Sequence, residues 1–174
     1  MPSPLSGLRT VFERFMEALV ILLMAVLALE VTVGVVFRTL GKSLVWYDEI
    51  ASVLLAWLTY YGAVLAALKR AHIGFPGLLR SLNPPWRLPL TLLSEACVFG
   101  FFALLAWMGY SVLDVLATDF LVSLPAISVK YTQSVIPVGA VLFMIAEALV
   151  LPELIREARG APRRADDTAR ETTH

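Results

Sequence analysis

The sequence predicts an all-α integral membrane protein: four transmembrane helices with cytoplasmic N- and C-termini, accompanied by interfacial amphipathic helices. Three observations carry that prediction. Of 174 residues, 59% are hydrophobic and only 16% charged, against about 25% charged in soluble domains, and the mean hydropathy is +0.78. Four long runs are almost free of charge. The basic residues gather in alternate connections.

A helix crossing the hydrocarbon core takes about 20 mainly apolar residues, because about 30 Å of thickness is covered at 1.5 Å per residue. Residues 18–37 form the first run, interrupted only by Glu30, and residues 50–68 form the second, with no charge. Residues 88–113 carry only Glu95, and residues 131–151 only Glu147. The third run, about 39 Å as a helix, exceeds the core and should tilt or emerge from it. The four runs hold about half the chain, so residues 1–155 read as one membrane domain. The first run is too long for a signal peptide and lacks a cleavage pattern before Arg38, so it reads as a retained anchor.

Orientation follows from Lys and Arg, which resist translocation. Arg9 and Arg14 precede the first span; Lys69, Arg70, Arg80 and Arg87 lie in the second connection; Arg156, Arg159, Arg163, Arg164 and Arg170 follow the fourth span. Only Arg38 and Lys42 in the first connection and Lys130 in the third lie on the other side. Both termini are therefore expected in the cytoplasm.

Ahead of the first span, Leu5, Leu8, Phe12, Phe15 and Leu19 recur at helical spacing, which predicts an interfacial helix over residues 5–17. Phe75, Leu78, Leu79 and Leu82 predict another over residues 75–83, whose connection holds bases and no acid and so suits anionic head groups. The third connection is uncharged between Asp119 and Lys130, with Pro125 in its middle, and is expected to pack on the membrane surface or on a partner. Residues 156–174 read as a cytoplasmic tail, disordered after Gly160.

Little here points to catalysis. Fourteen bases balance 14 acids, so no charge excess favours nucleic acid. Cys97 is the one cysteine and His72 and His174 are the two histidines, too few for a disulfide pair, a thiol relay or most metal sites. No nucleotide loop, nucleophile elbow or zinc motif is present; no catalytic residue, cofactor or metal ligand is expected. Acids inside spans are costly and are functional candidates by default. Glu30 lies too deep to reach an interface easily; it bonds a Ser, Thr or Tyr of an adjacent helix, or it carries protons. Glu95 and Glu147 lie nearer the cytoplasmic ends, where a basic residue or the interface can meet them. On the second span, Trp57, Tyr60 and Tyr61 stand beside Gly62, Ala63, Ala66 and Ala67, a mixture of anchors and small residues that suits helix packing against a partner or, for the aromatics, lipid.

The residues that open and close these spans resemble those of the DctQ family, the small membrane subunit of tripartite ATP-independent periplasmic (TRAP) transporters. The likeness covers about residues 12–152. It rests on Trp46-Tyr47-Asp48-Glu49 opening the second span, Trp57 and Tyr61-Gly62-Ala63 within it, the exit Lys69-Arg70-Ala71-His72-Ile73, then Leu124-Pro125 and Pro137-Val138-Gly139. Where the family often has a glycine shortly before the histidine, this chain has Lys69-Arg70-Ala71. The resemblance implies a multi-pass protein of the bacterial inner membrane and a transport role in three components. A periplasmic solute-binding protein (DctP-like) would deliver an organic acid. A large membrane subunit (DctM-like) would carry it by secondary active transport with sodium bound to that subunit. The small subunit would scaffold the large one and help dock the binding protein. Its partner or interface candidates are then Trp46, Asp48, Glu49, Trp57, Tyr60, Tyr61, Gly62, His72, Pro125, Pro137 and Gly139. Asp48 and Glu49 suit the helix amino terminus, a pairing with Arg38 or Lys42, or a contact with a partner. The competing expectation is a stand-alone, proton-coupled homodimeric transporter working through Glu30.

Overall fold

The computed structural model describes residues 4–70 and 84–159. The interfacial helix expected over residues 75–83, His72 and the tail beyond residue 159 lie outside the described residues. Among the described residues there are five α-helices: α1 (Pro4–Thr39), α2 (Tyr47–Leu68), α3 (Pro84–Val115), α4 (Val129–Gln133) and α5 (Val135–Ala158), with a 3-10 turn at Leu116–Thr118 after α3. Four of them, α1, α2, α3 and α5, are long and apolar enough to cross a membrane. The first three expected runs fall on α1, α2 and α3; the fourth, residues 131–151, begins on α4 and continues on α5 after a break at Ser134.

The first run and the amphipathic segment before it form one helix. α1 has 36 residues, about 54 Å, because no proline or glycine pair between Leu8 and Thr39 interrupts its hydrogen bonding. It stops at Gly41, whose φ of 73° is open to glycine. There the Lys42 amide donates to the Phe37 carbonyl at 3.0 Å and the Gly41 amide to that of Arg38 at 3.1 Å, which closes the helix end.

The long helices do not close into a bundle. α1 packs along α2, α2 along α5, and α5 along α3, giving an open row in the order α1, α2, α5, α3. α5 lies inside the row and is the most buried, through Val135, Pro137, Gly139, Ala140, Phe143, Ala146 and Val150. α1 and α3 form the edges. They expose Leu22, Leu29, Phe101, Leu104 and Trp107, bulky side chains of the kind that face lipid. The core centres on Met16 of α1, Val64, Ala67 and Leu68 of α2, and Phe143 and Ala146 of α5. Phe102 of α3 stacks on Phe143 with ring centroids 3.8 Å apart and planes 10° from parallel. Hence the tightest packing lies toward the face that carries the start of α1 and the ends of α2 and α5, here the termini face. The opposite, hairpin face carries the connections at residues 40–46 and 116–134.

Candidate functional site

Hydrogen bonds from α2 to the third connection organise the hairpin face. Residues 119–129 fold back as a short hairpin: Phe120 pairs with Ser128, the Leu121 amide donates to the Ile127 carbonyl at 3.0 Å, and the Val129 amide to that of Asp119 at 2.9 Å. Pro125 stands exposed at the turn, where the Ile127 amide closes onto the Leu124 carbonyl at 2.9 Å. Glu49, in the first turn of α2, holds one arm of the hairpin. Its carboxylate accepts from the Val122 amide at 3.0 Å, the Ser123 amide at 2.9 Å and the Ser123 hydroxyl. Of the partners open to Glu49 in the sequence, the structure thus puts its own chain's hairpin in place of Arg38 or Lys42. Asp48, one residue earlier, points to the exposed surface, and Trp46 is the half-exposed residue before α2.

Deeper along α2, Trp57 donates its ring N–H to the Thr132 carbonyl of α4 at 2.9 Å and meets Tyr61 edge to face at 6.4 Å between centroids. Tyr60 meets Gly139. A Cβ on Gly139 would lie 3.0 Å from the Tyr60 Cβ, so α2 and α5 approach as closely as only glycine permits. Pro137 is buried, and a Cβ on Gly109 of α3 would lie 3.1 Å from its ring. Gly34 of α1 likewise lies under the Tyr47 ring. Gly62, by contrast, has nothing within 4 Å of where its Cβ would be. The candidates from Trp57 to Gly139 therefore divide: most hold this chain's own helices together, and Gly62 faces open space. Gly34 and Gly109 were not among the expected contacts; a lone glycine in a span, level with an aromatic or proline on the next helix, is the signal that finds them.

The termini face is tied by charge. The Arg9 guanidinium donates to both Glu153 carboxylate oxygens, at 2.7 and 2.8 Å, and to the Leu68 carbonyl at the end of α2 at 2.9 Å. Arg70 forks onto Glu157 with two 2.8 Å bonds, and Lys69 pairs with Glu17 at 2.6 Å. Three helices, α1, α2 and α5, are joined by these pairs. Lys69 and Arg70, expected to meet lipid head groups, are engaged by protein carboxylates instead. The signal for this was the Glu153/Glu157 pair, four residues apart and so on one face of α5.

The acids within the spans behave differently. Both Glu30 carboxylate oxygens are buried and have no hydrogen-bond partner among the described residues, so the expected bond to a neighbouring Ser, Thr or Tyr is not made. Glu95 and Glu147 lie close enough to interact, with Arg70 at the end of α2 near Glu147, but the Arg70 guanidinium forks onto Glu157. Among the described residues no group of three or more His, Cys, Asp and Glu is arranged to hold a metal ion.

Residues 27–157 match the family model described as tripartite ATP-independent periplasmic transporters, DctQ component. The chain belongs to the DctQ family. No curated protein matches it. The matched stretch takes in α2, α3, the hairpin, α4 and all but the last residue of α5, with the C-terminal part of α1 from residue 27; Arg9, Met16 and Glu17 precede it. As a DctQ component it is a multi-pass membrane protein of a multicomponent transporter, in a family of transporter components rather than enzymes. Membership in that family gives no support to the stand-alone transporter built on Glu30. The family-like motifs also acquire local work: Glu49 pins the hairpin, Trp57 fixes α4, and Gly139 seats Tyr60.

Proposed function

We propose that the chain is the small, non-catalytic permease subunit of a TRAP transporter in a bacterial inner membrane, with both termini in the cytoplasm. It scaffolds the large membrane subunit, which binds sodium and imports an organic acid, and it helps dock the periplasmic solute-binding protein on the hairpin face. Support comes from the family together with one observation: the central helices are tied at both faces. Glu49 and Trp57 fix α2 to the hairpin and α4 at one end, and Arg9, Lys69 and Arg70 fix α1, α2 and α5 at the other. A row tied at both ends resists bending, which is what an immobile support beside a moving subunit requires. Its open edges, α1 and α3, leave long apolar faces for lipid and for a larger partner.

Uptake of the solute by cells carrying all three components tests this reading through two variants. Asp48→Asn removes an exposed charge on the hairpin face and should weaken uptake while leaving assembly intact, since Asp48 belongs to the docking surface. Glu30→Gln should keep partial uptake, since no coupling proton passes through this subunit. Full loss with Glu30→Gln in an assembled complex, or unchanged uptake with Asp48→Asn, would count against the scaffold or the docking role respectively.

A further inference from the structure

The hairpin at residues 119–129 is apolar on a surface that lies outside the row of helices, and two features say what it touches. First, one arm of it alternates in exposure: Leu121 is 7% exposed, whereas its neighbours Phe120 and Val122 are 54% and 93% exposed. A segment turned to water normally carries polar residues on its exposed side. Here residues 120–129 hold no charge at all. Second, the height is fixed. Glu49 precedes Ile50, the first residue of the uncharged run over residues 50–68, and that run covers about 28 Å, the thickness of the hydrocarbon core. Val122 and Ser123 hydrogen-bond directly to Glu49, so they stand at the boundary of that core rather than high above it.

We infer that the hairpin is a membrane-interface anchor, seated in the head-group layer with Phe120 and Val122 directed into lipid. Its occupant is the uncharged boundary of the bilayer, since residues 120–129 carry no base to seek anionic lipid and no acid to seek a basic protein, and the one acid, Asp119, stands where the hairpin begins. Glu49 is the positioning residue that holds the anchor at this depth. The inference rests on α2 crossing the membrane and is independent of what the assembly transports.

Nitroxide labels on single cysteines test it. In a Cys97→Ser background, Val122→Cys and Phe120→Cys are labelled separately in the full-length chain, purified with whatever membrane partner accompanies it and returned to phosphatidylcholine vesicles. Collisions with oxygen, which concentrates in lipid, are compared with collisions with a water-soluble nickel chelate. Leu104→Cys, exposed in mid-α3, and Lys42→Cys, in the charged connection, give the lipid and water references. The expected result is several-fold fewer nickel collisions at both hairpin positions than at Lys42, with oxygen access between the two references. Nickel access equal to that at Lys42 would overturn the anchor, showing a hairpin raised into water. Shielding from both reagents would overturn it too, showing a protein partner seated on the hairpin. The two label positions project from the same outward face, so a fault in one variant leaves the other to decide.

Discussion

Gly139 and Gly62 form a natural experiment in helix packing. Both lie inside long helices, and both lose backbone freedom on folding that alanine would not, a difference worth at most about 1 kcal/mol in favour of alanine. They differ in what stands opposite. At Gly139 the added Cβ would lie 3.0 Å from the Tyr60 Cβ and 3.1 Å from its Cδ1, whereas relaxed carbon contacts are about 3.5–4.0 Å. The Tyr60 Cβ is fixed to its backbone, so α2 and α5 must part by about 0.5 Å. Overpacking of this kind costs about 1–3 kcal/mol, which exceeds the helix gain. Gly139→Ala should therefore destabilise by up to about 2 kcal/mol, and Gly139→Val by more. At Gly62 nothing stands within 4 Å, only the helix effect acts, and Gly62→Ala should be neutral or stabilising by up to about 1 kcal/mol. The assay is reversible unfolding of the purified chain in mixed micelles, titrated with denaturing detergent and followed by circular dichroism. Equal shifts for the two alanine variants, or an unchanged midpoint for Gly139→Val, would refute the claim that the Tyr60–Gly139 contact sets the α2–α5 spacing.

Two further outcomes follow from the tied faces. Arg9→Glu removes three hydrogen bonds and sets a second carboxylate against Glu153, for a loss of about 1–3 kcal/mol; adding Glu153→Arg should restore part of that stability, and no recovery in the same titration would mean that the pair does not couple α1 to α5. Trp57→Phe keeps the ring but loses the N–H to the Thr132 carbonyl, at about 0.5–1.5 kcal/mol, and should raise hydrogen exchange in α4; unchanged exchange would show that α4 is held by its own packing.

What the sequence makes legible here is what the bilayer imposes. Run length and charge spacing report the thickness of the solvent, so each long helix covers most or all of one expected run, the fourth run beginning on α4, and the motif at Trp46 to Glu49 does open α2. The joins between helices were not legible for a physical reason: they pair residues distant in the chain and so leave no local period. Glu49 meets Val122 across 73 positions, Arg9 meets Glu153 across 144, and Arg70 meets Glu157 across 87. Nothing in a single span says whether its arginine turns to lipid or to a carboxylate on another helix. For the same reason the order of the row, α1, α2, α5, α3, is not readable from the runs themselves. The N-terminal segment was half legible: its periodicity gave a helix, but only the missing helix breaker between Leu8 and Thr39 joins that helix to the span. Family motifs pointed to Trp57, Tyr61 and Gly139 without saying that they would hold their own subunit together, and they pointed to Gly62, whose open side faces away from it.

The central claim is that this chain works as a subunit and not alone, and gentle solubilisation tests it most directly. An affinity-tagged chain, expressed from its native locus and extracted in mild detergent, should bring with it a much larger multispanning protein in a fixed ratio, and should by itself move no solute in vesicles. A lone chain or homodimer that transports solute or cations by itself would contradict the account.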